Sequence, residues 1–142
     1  MLFYKVFIFF LFVIIMKIVL LDTNFIITCV KQKIDFFEDI KFMGMKILIP
    51  KQVINELKII VNSKKKLHNR EDAVLSLKLL EKEKKCFRKI DLSKYGKNTD
   101  KMLKNFAEKN SGIIVATLDK ELKKKIKNQK LVIRGKKKLE II

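Results

Sequence analysis

The sequence predicts an α/β fold built around a mostly parallel β-sheet. Residues 18–21 are all apolar, and residues 113–117 are apolar up to a final threonine. Such runs without polar alternation are typical of strands buried on both faces, as in parallel sheets. Stretches with helical apolar spacing separate the strand-like runs, and this alternation characterises α/β proteins with right-handed crossovers. The chain has 142 residues, 49% of them apolar, enough for one compact domain with a core but not comfortably for two.

The first half of the domain reads as strand, helices, strand and helix. Residues 25–30 and 34–40 show apolar spacing near 3.6 and are predicted to be helical. Residues 46–49 predict a second strand, and Pro50 then suits the first turn of a helix over residues 51–61, where its missing N–H costs nothing.

A polar, basic connection is predicted over residues 63–70, followed by a helix over 71–84 and a third strand over 86–90 at or near a sheet edge. The only histidine, His68, falls in this connection. No serine or cysteine pattern accompanies it, so a solvated loop histidine is favoured over a general base.

The second half repeats the alternation. Asn98 or Thr99 is suited to cap a helix that carries apolar residues on one side. The further predicted elements are a turn-forming loop at 93–99, that helix to about 109, a strand at 113–117, a basic helix at 120–128, a last strand at 131–133 and a basic turn at 134–138.

The chain begins with an apolar stretch that the domain does not need. Residues 6–16 are eleven consecutive apolar residues, short of the roughly 20 needed for a helix to span a bilayer. No small-x-small cleavage site follows, which disfavours a signal peptide. We therefore expect residues 1–16 to be an extension and residues 17–142 the domain. Either Met16 is the true start of a cytoplasmic protein, or the extension is a membrane anchor.

The charge balance favours a polyanionic partner. The chain has 33 Lys and Arg against 15 Asp and Glu, a net charge of +18, which suits nucleic acid or an anionic membrane surface. A compositional bias towards Lys, Ile, Phe and Asn is the competing explanation. Cys29 and Cys86 show no metal-ligand or Cys-x-x-Cys spacing, which indicates structural thiols in a reducing compartment.

Four carboxylates are predicted to meet at one edge of the sheet. Asp22 and Asp119 end buried strands, while Glu56 and Asp100 lie on helices shortly after such ends, and open α/β sheets bind ligands there. Two carboxylates about 5 Å apart repel by roughly 3 kcal/mol at an effective dielectric near 20. Oxygen ligands select Mg²⁺ or Mn²⁺, and such an ion beside a basic surface suits phosphodiester hydrolysis. Taken singly, each acid is more often a cap, a turn residue or a solvated helix acid.

Four segments also resemble the acidic motifs of PIN-domain nucleases. They are Leu-Leu-Asp-Thr-Asn at 20–24, Ile-Pro-Lys-Gln-Val-Ile-Asn-Glu-Leu at 49–57, Thr-Asp followed by apolar positions at 99–107, and Val-Ala-Thr-Leu-Asp-Lys-Glu-Leu at 115–122. They occur in the family's order and cover nearly all of residues 17–142. The resemblance implies a three-layer α/β/α sandwich, divalent-metal-dependent RNA cleavage and, often, a homodimer.

By motif position, the resemblance implies that Asp22, Glu56, Asp100 and Asp119 are the catalytic metal ligands and that Thr23 and Asn24 support the first of them. The family frequently has another acid after its third aspartate, where this chain has a lysine. The number of metal ions therefore stays open. Phosphate contacts are predicted for the basic residues Lys120, Lys123, Lys124, Lys127, Arg134, Lys136, Lys137 and Lys138.

Two roles fit this resemblance. One is the toxin of a type II toxin–antitoxin pair, a VapC-type RNase silenced by an antitoxin protein, and the other is an rRNA-processing nuclease. The alternative from another class is a non-catalytic RNA-binding PIN-like module.

Overall fold

The computed structural model describes residues 3–6, 16–64 and 67–142, and its strands and helices alternate as the sequence predicts. The strands are β1 (Ile18–Leu21), β2 (Lys46–Pro50), β3 (Phe87–Ile90), β4 (Ile114–Ala116), β5 (Lys130–Arg134) and β6 (Lys138–Ile141). The helices are α1 (Thr23–Lys31), α2 (Phe36–Phe42), α3 (Lys51–Asn62), α4 (Leu67–Lys82), α5 (Thr99–Lys109) and α6 (Lys120–Lys125), with a 3₁₀ turn at Ser93–Tyr95.

The six strands form one sheet in the order β3-β2-β1-β4-β5-β6. The first five are parallel, and β6 pairs antiparallel with β5. The predicted mostly parallel sheet is therefore confirmed, and β3 lies at an edge as expected.

Helices cover both faces of the sheet and create two apolar cores. On β1, Val19 and Leu21 belong to the core shared with α1–α4, whereas Leu20 belongs to the core shared with α5 and α6. Successive strand residues point to opposite faces, so a continuous apolar strand is what two covered faces require. The result is the predicted three-layer α/β/α sandwich.

The strand order places a topological switch between β1 and β4. From β1 the chain moves to β2 and β3 on one side, and it returns to β4 and β5 on the other. The connection from β1 to β2 uses helices of the first face, and that from β4 to β5 uses α6 on the second. In open α/β sheets, a crevice forms beyond the carboxyl ends of the strands at such a switch.

The basic connection predicted over residues 63–70 is shorter in the structure, because α4 begins at Leu67 rather than at residue 71. Lysine and arginine are good helix formers, and no Gly or Pro in this segment stops the helix. The backbone at His68 is therefore helical, so the prediction of a loop histidine was wrong. At its other end α4 stops at Lys82, two residues early.

The basic helix predicted over residues 120–128 ends at Lys125, because tertiary contacts favour a different backbone for the residues that follow. Ile126 is extended and buried. Asn128 is also buried, and its side-chain N–H groups donate to the carbonyl oxygens of Ala107, Asn110 and Ile113 at 2.9–3.1 Å. The segment after α6 thus ties the end of α5 to the start of β4.

The strand predicted at residues 131–133 is β5, and it is not the last strand. The basic turn that follows it closes a hairpin with β6, in which Arg134 pairs with Lys138.

Most of the N-terminal extension predicted for residues 1–16 lies outside the described residues. Within residues 3–6, 16–64 and 67–142, no helix has the length and apolar character required to cross a membrane.

Candidate active site

Asp22 lies at the centre of the candidate site, between β1 and α1. Its backbone N–H donates to the Ala116 carbonyl oxygen at 3.0 Å, so the residue extends the pairing of β1 with β4. Its carboxylate caps α1, where Oδ1 accepts the Thr23 N–H at 2.7 Å. The side chain is only 6% exposed. A carboxylate at this depth is expensive without compensating donors or a cation.

Glu56 reaches the same place from α3. The Thr23 hydroxyl donates to Glu56 Oε2 at 2.5 Å, across 33 positions of sequence. Thr23 is buried and Glu56 half-buried. A single threonine therefore contacts both acids, binding Asp22 through its backbone and Glu56 through its side chain. Asn24, the other predicted supporting residue, is exposed on the first turn of α1.

Asp119 is joined to Asp22 through Thr117, a residue that the sequence analysis did not select. The buried Thr117 hydroxyl donates to Asp22 Oδ2 at 2.8 Å and accepts the Asp119 N–H at 3.1 Å. Asp119 Oδ1 caps α6 by accepting the N–H groups of Glu121 and Leu122. A hydroxyl residue two positions before an acid, at the end of a buried strand, was the available sequence signal.

Asp100 lies in the first turn of α5 and is exposed. Asn98 provides the cap, since its side chain accepts the Lys101 N–H at 2.9 Å. The loop before it packs tightly on the helix, because a Cβ at Gly96 would lie 3.0 Å from the Lys101 Cβ and 3.1 Å from the Met102 nitrogen. Gly96 thus lets the loop approach the turn that carries Asp100.

The charges of two of the predicted acids, Glu56 and Asp100, act on the carboxylate of Asp22. Burial raises the pKa of Asp22 from 3.8 to about 6, the hydrogen bonds from Thr117 and Thr23 oppose this rise, and the nearby charges of Glu56 and Asp100 add to it. A bound cation would counteract both the burial and the repulsion.

The donors are carboxylate and hydroxyl oxygens, which fit a hard dication such as Mg²⁺ or Mn²⁺. The structure links Asp22, Glu56 and Asp119 through two threonines. Among the residues it describes, it does not gather three or more Asp, Glu, His or Cys side chains into a group that could hold a metal ion.

The predicted phosphate-binding residues lie on α6, just after it, and on the β5–β6 hairpin. Lys120 follows Asp119 directly and is exposed, as are all the others except the half-buried Lys123. Of these eight residues, only Arg134 forms an ion pair: its Nε lies 3.2 Å from Glu140 Oε2.

Comparisons with known proteins agree with the fold and the motif order. A family profile described as "PIN like domain" matches residues 19–137. Ribonuclease VapC4 of Methanocaldococcus jannaschii is 33% identical over 126 residues, covering 84% of this chain and 92% of that protein.

Two solved structures share the fold. The PIN domain endonuclease Utp24 superposes with a TM-score of 0.69 at 24% identity, covering 87% of this chain and 90% of that one. VapBC2 from Rickettsia felis, bound to a DNA fragment from its promoter, gives a TM-score of 0.56 at 18% identity, covering 80% and 98%.

Proposed function

The chain belongs to the PIN-domain nuclease family, and on that premise we propose that it is a divalent-metal-dependent endoribonuclease that cleaves RNA phosphodiester bonds. The observation that carries the proposal is the network around Asp22. Thr23 connects Asp22 with Glu56, and Thr117 connects it with Asp119, all at the carboxyl ends of β1 and β4.

The chain's own residues hold the acids in place. The Thr23 N–H and the Thr117 hydroxyl each take one oxygen of Asp22 and fix the plane of its carboxylate. The Thr23 hydroxyl fixes Glu56 Oε2, so the other oxygen of Glu56 is available to orient an attacking water. Such outer contacts set the direction and basicity of ligating side chains.

Asp22, Glu56, Asp100 and Asp119 would hold Mg²⁺ or Mn²⁺. When bound, the ion would activate water and offset the charge that develops on the phosphate. The basic residues on α6 and the hairpin would bind the RNA backbone by electrostatic attraction, which falls with salt.

The VapC4 relative, at 33% identity over most of both chains, favours the toxin of a type II toxin–antitoxin pair over an rRNA-processing nuclease. An antitoxin protein is then the proposed partner, and a homodimer the proposed assembly. Co-expression with the product of the adjacent gene distinguishes the roles. A toxin is growth-inhibitory alone and harmless with its partner, whereas a processing nuclease is not inhibitory in either case.

The direct test is RNA cleavage by the full chain with Mn²⁺ and with EDTA. We expect cleavage only with the metal, and its loss in Asp22→Asn and in Asp119→Asn. Glu71→Gln, which neutralises an exposed acid on α4, is the matched control and should cleave normally. Cleavage that persists in both aspartate variants would exclude the mechanism.

The non-catalytic RNA-binding module remains the second candidate because Asp119 Oδ1 caps α6 and because the described residues form no group of three or more acids that could hold a metal ion. RNA binding by the wild type, without metal-dependent cleavage of any of several RNAs, would favour it.

A further inference from the structure

We propose that a lysine-lined depression between the end of α1 and the β5–β6 turn binds the phosphates of single-stranded RNA beside the cleavage site. The inference rests on the proposed function, because it assigns part of the substrate path. It adds two lysines, from a segment that the motifs do not touch, to the hairpin residues already predicted to bind RNA.

The depression has a volume of about 540 Å³ and is lined by two short segments, residues 31–33 and 135–137. Four of its six lining residues are lysines, namely Lys31, Lys33, Lys136 and Lys137, and none is acidic. All four lysines are exposed. In the part of the chain that the structure describes, none of them forms an ion pair, and the nearby Glu140 is paired with Arg134. No ion pair among the described residues therefore neutralises these four lysines.

The backbone gives a second, independent observation. Lys33 and Lys137 have φ values of +58° and +64°, and they are the non-glycine residues with positive φ in the described chain. Lys33 lies just beyond the end of α1, where its N–H donates to the Val30 carbonyl and the N–H of the next residue donates to the Cys29 carbonyl. Glycine is the usual residue at such a position, because a side chain in the left-handed region costs free energy.

Two unfavourable backbone positions thus carry lysine, and both lysines line the same depression. Backbone strain concentrates at functional sites, where the side chain has a use that outweighs its cost. Here that use is the placement of positive charge, because lysine supplies an ammonium group and glycine does not.

The sheet register places the β5–β6 turn, and with it the depression, at the edge of the sheet where the carboxyl ends of β1 and β4 lie. Leu21, Ala116 and Leu131 lie at one level across β1, β4 and β5. Strand β5 continues for three more residues to Arg134, so the turn extends about 10 Å beyond that level. Strand β5 is two strands from β1, which adds about 10 Å laterally. One extended RNA strand would therefore pass both the acids and the depression.

The chemistry fits a phosphodiester backbone. Lysine ammonium groups are hydrated point charges with three donors each, suited to phosphates without base readout. Each phosphate neutralised on a single strand adds about 0.7 to the salt dependence of log K.

The test measures binding of a fluorescein-labelled oligouridylate to the full chain by anisotropy, in EDTA and across a range of NaCl concentrations. Lys33→Gly with Lys137→Gly removes two charges and the strain. Lys31→Gln with Lys136→Gln removes two charges from unstrained positions. The matched control is Lys58→Gln with Lys78→Gln, two exposed lysines on α3 and α4.

We expect each depression pair to lower the slope of log K against log salt by about 1.4 and the affinity at 0.1 M salt by about 25-fold, with no such change in the control. The glycine pair should also raise Tm by about 2–4 °C. A protein that becomes more stable while binding RNA more weakly has lost a functional contact and not its fold.

Unchanged slopes in both depression pairs would overturn the proposal. So would a loss of binding to phosphatidylserine vesicles with RNA affinity retained, since the depression would then serve a membrane surface. Failure of the proposed nuclease is read separately, as absence of Mn²⁺-dependent cleavage, and leaves these binding measurements interpretable.

Discussion

Burial of the Asp22 carboxylate destabilises the fold unless a cation is bound, and this gives a prediction at the scale of one residue. Because its pKa is raised to about 6, the folded state binds the proton more tightly than the unfolded chain. The contribution of Asp22 to the free energy of unfolding is therefore most favourable below about pH 4. About 3 kcal/mol of that contribution is lost as the pH rises from about 4 through 6. Asp22→Asn should be more stable than wild type by about 1–3 kcal/mol at pH 8 in EDTA and nearly equal at pH 4, as measured by urea unfolding.

The same variant reports on metal binding without any assay of activity. A ligand that binds the native state raises its stability, so Mn²⁺ should raise the Tm of the wild type and not that of Asp22→Asn. Glu71→Gln should respond as the wild type does. An equal Mn²⁺ response in all three proteins would show that the ion does not bind at Asp22.

At Thr117, the role of the side-chain hydroxyl can be tested without changing the volume of the side chain. Thr117→Val keeps the shape and removes the hydroxyl that binds Asp22 Oδ2 and accepts the Asp119 N–H. Loss of such an outer contact costs about 10- to 100-fold in metal affinity or activity. We therefore expect Mn²⁺ affinity and cleavage to fall together, with recovery in Thr117→Ser. Thr28→Val, at a half-buried position on α1, is the control, and an equal defect there would contradict a specific role for Thr117.

At the scale of elements, the segment after α6 depends on one buried amide. Asn128→Ala would leave the carbonyl oxygens of Ala107, Asn110 and Ile113 without their side-chain donor. The Ala107 and Asn110 carbonyl oxygens would still accept the backbone N–H groups of Asn110 and Ile113. An unsatisfied buried acceptor costs about 1–3 kcal/mol, so we expect a loss of about that size in the free energy of unfolding. Gln129→Ala, at an exposed neighbour, should change stability little. A similar small effect in both variants would contradict the anchoring role.

The elements that the sequence predicts well are those fixed by local pattern. Apolar runs predicted β1 and β4, and their terminal acids Asp22 and Asp119 lie where that placement requires. The end of α6 could not be predicted, because it depends on hydrogen bonds from Asn128 to carbonyls on other elements. Thr117 was missed for a related reason, since its partner Asp22 is 95 positions away.

The approach of Glu56 to Asp22 shows the limit of pattern reasoning at the site. Its position after β2 predicted the correct edge of the sheet, but the contact itself runs through the Thr23 hydroxyl. The resemblance marked Thr23 as a supporting residue, and only the structure shows which acid its side chain binds.

At the scale of the whole molecule, the charge is distributed so that an acidic centre lies within a basic surface. The net charge is +18, while Thr23 joins the carboxylates of Asp22 and Glu56, and the charge of Asp100 also acts on Asp22. Under the proposed function, the surrounding cations would attract the RNA backbone, and the acids would bind the metal ion used for cleavage. The same excess of positive charge opposes folding through self-repulsion.

Salt should therefore act in opposite directions on stability and on RNA binding. The described residues contain four ion pairs, too few to offset the repulsion among 33 Lys and Arg. Raising NaCl from about 0.05 to 0.5 M shortens the Debye length from about 14 to 4 Å. Screening of like charges should then raise Tm by several degrees, measured by circular dichroism in EDTA, while RNA affinity falls steeply over the same range. A Tm that falls with salt would mean that attractive pairs, rather than repulsion, dominate the surface electrostatics of the folded chain.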